Sequence, residues 1–143
     1  MKKLLFSNST HTLHASIGLL VMRLVYGLFM AAGHGWGKLV NFGDRADGFM
    51  DFMGLGSSVS LGLAVFAEVF CAVLVALGLF TRAALIPLII TMAVAAFMVH
   101  GNDPLFPSGL ERSKEPALMF LAAYVAIFIA GPGKFSLDRL IRK

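Results

Sequence analysis

The hydrophobic positions of this chain gather into four runs, each bounded by polar or glycine-rich intervals. They span about 16–34, 59–80, 83–100 and 115–131. At about 1.5 Å of rise per residue, the stretch from Ser16 to Ala32 makes a helix of roughly 25 Å, close to the hydrocarbon thickness of a bilayer. The pattern predicts an all-α fold, an integral membrane four-helix bundle forming a single four-span domain over residues 1–143. The last run is the shortest, a length that a thin bilayer or protein packing accommodates.

One arginine interrupts the first run. Arg23, Gly27, Met30 and His34 follow i, i+4, i+7, i+11 spacing with Tyr26 alongside, so they share one helical face, while Val21, Leu24 and Leu28 form a plain aliphatic face suited to lipid. An ionisable residue inside a membrane costs at least about 2.5 kcal/mol on insertion scales and usually faces a partner in the bundle. The expected partner is Glu68 in the second run. Arg23 lies about 12 Å from one end of its run and Glu68 about 18 Å from the matching end of its own, an axial offset of roughly 6 Å that the two side chains can bridge. Gly18, Gly27 and Ala31 on the first run, and Ala64, Ala67, Ala72, Ala76 and Gly78 on the second, permit close helix approach.

Between the first two runs lies GHGWGKLVNFGDRADGFMDFMGLGSS. Gly33, Gly35 and Gly37 are expected to loosen the helix end. Trp36 and Lys38 suit a membrane–water interface, and Phe49, Met50, Phe52 and Met53, interleaved with Asp47 and Asp51, read as a short amphipathic or interfacial segment. The third run carries Pro87 and closes at His100. Pro116 then opens the last run at a position that needs no amide hydrogen. His11 and His14 stand three apart before the first run and read as solvated histidines near headgroups.

Composition confirms the class: 58% of residues are hydrophobic and 14% charged, against about 25% charged in soluble domains. The polar interval SNSTHTLH and the internal arginine argue that the first run is a retained helix, not a signal peptide. Basic residues are unevenly placed. Lys2, Lys3, Arg82, Lys134, Arg139, Arg142 and Lys143 fall on one side of four spans and Lys38, Arg45, Arg112 and Lys114 on the other, an asymmetry that predicts both termini in the cytoplasm. The high pI follows from this orientation; no basic stripe with interleaved aromatics marks a nucleic-acid partner. Cys71 is the single cysteine, which excludes an internal disulfide relay.

MRLVYG, GHGWGKL, AEVFCAVLVALGLFTR, VHG and GPGKFSLD, in this order and spacing from Ile17 to Leu140, resemble the DoxX family of small bacterial membrane proteins. The resemblance implies a four-helix membrane bundle. It also implies a link to terminal-oxidase and thiosulfate:quinone oxidoreductase systems, or to membrane redox-stress complexes.

The polar residues point to a column from the outer face into the bundle. Glu68 and His100 are the candidates for proton transfer or ligand contact, with Arg23, Tyr26, His34, Lys38 and Glu115 as candidate ligand-binding residues. A quinone suits aromatic and methionine walls with histidine, lysine and carboxylate better than haem or copper does, and no metal-ligand spacing such as CxxCH or HExxH occurs. Two functions fit: a component of a quinone-linked membrane oxidoreductase with a redox protein partner, or a non-catalytic assembly protein whose polar core sets helix register. Solute transport fits four short spans only if the protein forms a homo-oligomer.

Overall fold

The computed structural model describes residues 12–107, 109 and 112–141. Lys2, Lys3, His11, Glu111, Arg142 and Lys143 lie outside the described residues. All regular structure among the described residues is helical. Helix α1 runs Leu13–Val40, α2 Phe42–Ala46, α3 Ser57–Leu77, α4 Thr81–Val99, α5 Glu115–Ala130 and α6 Leu137–Ile141. Three of them, α1, α3 and α4, are long and apolar enough to cross a membrane; α5 is apolar but shorter.

Helix α1 outruns its expected end. Gly33, Gly35 and Gly37 do not terminate it, because Met30–Gly35 forms a π-helical turn and the chain resumes α-helix through Val40. Comparable π-helical turns interrupt α3 at Phe66–Cys71 and end α4 at Ala95–Val99. The expected amphipathic piece is different too. The helix there is α2, and the Phe49–Met53 stretch is irregular chain, with Met53 at a positive φ and Gly54 and Gly56 beyond it.

Helices α1 and α3 pack antiparallel through small residues. A Cβ on Gly27 would stand 2.7 Å from the Ala72 carbonyl oxygen and 2.9 Å from the Ala76 Cβ, and one on Gly35 would stand 2.7 Å from the Glu68 carbonyl oxygen. Such approach supplies the dispersion contacts that hold helices together where lipid offers no hydrophobic drive. Met30, Val75, Leu85, Leu88, Tyr124 and Ile127 fill the centre, and the Tyr124 hydroxyl donates to the Tyr26 carbonyl at 3.2 Å, tying α5 to α1. Val21, Leu28, Phe29, Phe70, Ile86 and Ile129 turn outward, the surface expected of lipid contact.

At the end where α3 passes into α4, the chain is locked by its own tail. Gly78 takes the left-handed conformation (φ 72°) and Leu79 N–H bonds to the Leu74 carbonyl while Gly78 N–H bonds to that of Val75, a double-bonded helix stop. Residues 131–138 then fold back beneath it. The Asp138 carboxylate accepts from Phe80 N–H (2.7 Å), Thr81 N–H (3.0 Å) and the Thr81 hydroxyl (2.7 Å), so a residue 57 positions away caps α4. The Asp138 N–H closes the ring on the Gly78 carbonyl at 2.8 Å.

Arg23 belongs to this tail end, and its expected pairing with Glu68 is overturned. Its guanidinium is fully buried, donates to the Phe135 carbonyl and lies against Gly78, where any Cβ would collide with it; Asp138 is the carboxylate acting on its charge. The difference is one of register. Aligning the ends of the apolar runs put Arg23 a few ångströms from the level of Glu68, whereas α1 starts at Leu13 and overruns the α3–α4 turn by roughly 15 Å to make room for the tail. With Arg23 at Gly78 and Gly35 at Glu68, the two charges stand roughly 18 Å apart along the helices.

Candidate functional site

Glu68 sits within the π-helical turn of α3, buried, and its partner comes from beyond the π-helical turn of α1. The Lys38 ammonium contacts both carboxylate oxygens, at 2.5 and 2.6 Å, with side-chain exposures of 22% for Lys38 and 3% for Glu68. Helical phase explains the pairing. Ser16, Arg23, Gly27 and Met30 form the buried face of α1, and regular helix would carry it on to His34 and Gly37. The π-helical turn inserts one residue, so Gly35 is buried instead, His34 turns outward and Lys38 comes onto the inner face. Gly35, lacking a Cβ, lets α1 approach the Glu68 backbone closely enough for the contact.

Beside this pair lies a cavity of about 790 Å³, within the range of small-molecule sites. Leu63, Ala64 and Phe66 of α3 form one wall and Pro87, Ile90, Thr91 and Val94 of α4 the other; Phe49, Met50 and Phe52 roof it. Lys38, Glu68, His100 and Arg112 supply its charged and imidazole groups. The roof is pinned to α3: Phe52 N–H donates to the Ser60 hydroxyl at 2.9 Å, that hydroxyl donates to the Gly56 carbonyl, and Gly56 N–H donates to Asp51 at 2.8 Å.

Of the residues singled out from sequence, Lys38, Glu68 and His100 line this cavity; Arg23, Tyr26, His34 and Glu115 do not. Tyr26 and His34 each meet the Phe120 ring edge-on with centroids 5.4 Å apart, packing against α5. Glu115 occupies the first turn of α5, where the helix dipole favours an acid. His100 is held by Asp103, its Nδ1 lying 2.7 Å from the carboxylate, and the loop beyond is tied back by the Lys114 ammonium on the Gly101 carbonyl at 2.9 Å.

Sequence reasoning missed Arg112 at the cavity and Asp138 at the opposite end. Arg112 sits in a loop with no periodicity to aim it. Asp138 had one local signal, its place one residue inside a helix-start pattern after Gly133, but nothing marks which helix it caps.

The chemistry available at the cavity is hydrogen bonding and proton exchange. The Lys38 ammonium has three donors, two of them engaged by Glu68. His100 keeps Nε2 beyond its bond to Asp103, and the Glu68 carboxylate offers hydrogen-bond acceptors on an otherwise apolar wall. Among the described residues no group of three histidine, cysteine, aspartate or glutamate side chains is placed to hold a metal ion.

Comparison with known proteins bears on identity. Inner membrane protein YqjF of Escherichia coli (strain K12) is 28% identical over 134 residues, 89% of this chain and 94% of that protein. Membrane protein Rv3486 of Mycobacterium tuberculosis (strain ATCC 25618 / H37Rv) is 34% identical over 85 residues, 53% of this chain and 52% of that protein. No solved structure matches the chain. Residues 18–101, more than half of the sequence, match the DoxX family model, and together with three membrane-length helices this makes the chain a membrane protein of the DoxX family.

Proposed function

We propose that this chain is a single four-span domain in the bacterial inner membrane, with both termini cytoplasmic, and that its cavity binds the head of a membrane quinone as part of an oxidoreductase complex. The observation that carries the reading is the Lys38–Glu68 pair on the wall of an apolar cavity. A buried ion pair needed only for packing is often replaceable by apolar residues at little cost, so one that borders ligand-sized space has a use beyond packing. Arg82, Lys134 and Arg139 at the tail end support the cytoplasmic placement, and the inner-membrane name of the Escherichia coli relative supports the compartment.

The residues fit a quinone. The free donor of Lys38 suits a carbonyl oxygen of the head, the Nε2 of His100 is a second polar group on the cavity lining, Phe49, Phe52 and Phe66 suit a flat ring, and Glu68 holds or gives up a proton at its carboxylate. A bound quinone supplies two-electron, two-proton redox chemistry. Lys38 orients the head and sets the charge beside Glu68, while the pinned roof limits water.

Protein purified in mild detergent is expected to retain quinone on solvent extraction, and Lys38→Met/Glu68→Met to lose it. A wild-type protein that carries none and takes none up on reconstitution would overturn the reading. The second reading, an assembly protein with a structural polar core, is favoured by one observation: Lys38 and Glu68 themselves join α1 to α3. It predicts that the double variant, once folded, supports the membrane complex as well as wild type does.

A further inference from the structure

We infer that the ligand's tail leaves the cavity sideways, between α3 and α4 across Leu63, Phe66 and Ile90, so that the site selects a prenylated ligand already dissolved in the bilayer. The inference rests on the quinone reading above and assigns what that reading leaves open: the route and the part of the ligand that the wall recognises.

Leu63, Phe66 and Ile90 do two things at once. They line the cavity, and about half of each residue's surface is accessible (50%, 50% and 51%). Their outer neighbours on the same two helices, Val59, Phe70 and Ile86, are exposed and apolar as well, so this edge of the cavity opens on a surface suited to acyl chains. Donors reach the cavity from other elements: Lys38 comes from the end of α1, His100 from the end of α4 and Arg112 from the following loop, while Glu68, paired with Lys38, is the one charged group on the α3 wall. The space is therefore amphipathic, with an apolar gap between α3 and α4 beside a charged pair.

The gap follows from residue choice. Ala64 on α3 and Pro87 on α4 face it, and these short side chains leave the space between the two helices open there. The roof is the poorer exit. Its backbone is bonded at Phe52 to Ser60 and at Gly56 to Asp51, and the loop after α4 is closed on itself by the His100–Asp103 and Lys114–Gly101 contacts. A tail leaving through it would also be transferred towards water, whereas one lying between Leu63 and Ile90 exchanges lipid for protein surface of equal polarity. The lateral wall thus acts through access and shape rather than through affinity.

The test is photolabelling of the protein in nanodiscs with two prenylated quinones, one carrying a diazirine on the first carbons of the tail and the other an azide on the ring, with adducts mapped by peptide mass spectrometry. The tail probe is expected to mark Leu63, Phe66 or Ile90, and the ring probe the peptides holding Lys38 or His100, both suppressed by excess unlabelled quinone. In Ile90→Trp the tail adduct should be lost while the ring adduct remains. Tail adducts confined to Phe49–Phe52 or Arg112, with competable ring adducts intact, would overturn the lateral route and leave the quinone reading standing. Absence of any competable adduct from either probe in folded wild-type protein would overturn both.

Discussion

Arg23 and Lys38 are both basic residues brought inside an apolar helical assembly by the same helix, and they are treated in opposite ways. Arg23 is completely buried at the tail end, against a backbone carbonyl, a glycine and the field of Asp138. Lys38 keeps 22% of its side chain exposed and shares its carboxylate with a cavity. At one end the Asp138 carboxylate and one nitrogen of the Arg23 guanidinium are engaged in caps and turns that fix where α1, α3 and α4 meet. At the other it stays within reach of a ligand, supported by π-helical turns in all three of those helices. An intramembrane charge is therefore not by itself a functional site; what distinguishes the two is whether space adjoins the pair.

The tail end should be the less forgiving. Asp138→Ala removes three accepted hydrogen bonds and the carboxylate nearest in effect to Arg23, and is expected to cost about 3 to 5 kcal/mol, as breaking buried pairs does. Thermal unfolding in detergent measures this, and an unchanged midpoint would refute the lock. Lys38→Met should cost less, about 1 to 3 kcal/mol, because the carboxylate left without its partner borders a cavity. Adding Glu68→Met should restore most of that loss but not ligand retention. Recovery of both would assign the pair to packing.

Smaller effects sharpen the contrast. Gly35→Ala places a Cβ 2.6 Å from the Val69 Cγ2 and 2.7 Å from the Glu68 carbonyl oxygen, which should destabilise the protein by about 1 to 3 kcal/mol through overpacking. It should also weaken ligand retention, while Gly33→Ala, with open space at its Cβ, leaves both unchanged. Equal effects of the two substitutions would mean that the α1–α3 approach is unimportant to the site. Last, Arg23→Met and Glu68→Met should add in stability to within about 0.5 kcal/mol, as distant sites without shared partners do. A coupling of a few kcal/mol in that double variant would restore the direct pairing that the structure replaces.

The sequence was informative where side-chain chemistry alone decides the outcome. Apolar run lengths located the long helices, and residue type drew Lys38, Glu68 and His100 to attention. It failed where geometry depends on distant partners. The π-helical turn of α1 has no periodic signature, since GHG reads as a helix breaker when the close Glu68 backbone that favours Gly35 is unknown. One inserted residue was enough to exchange His34 for Gly35 on the buried face. The partner of Arg23 is not legible because its surroundings come from residues 131–138, whose glycines, proline and basic residues read as a helix stop and an interfacial tail after the last apolar run.

The tail lock also orders events during synthesis. Arg23 and the Phe135 carbonyl that receives it are 112 residues apart, so at about 5 to 20 residues per second the ribosome takes roughly 6 to 22 s to make the acceptor after the arginine has emerged. For that interval α1 carries a guanidinium with neither Phe135 nor Asp138 to meet it. The helix must wait at the membrane surface, snorkel its arginine to the headgroups, or be sheltered by the insertion machinery until α5 has been made. Biogenesis of this protein is then completed from its C-terminal side, and a nascent chain stalled before Phe135 should be a preferred substrate for membrane quality-control proteases.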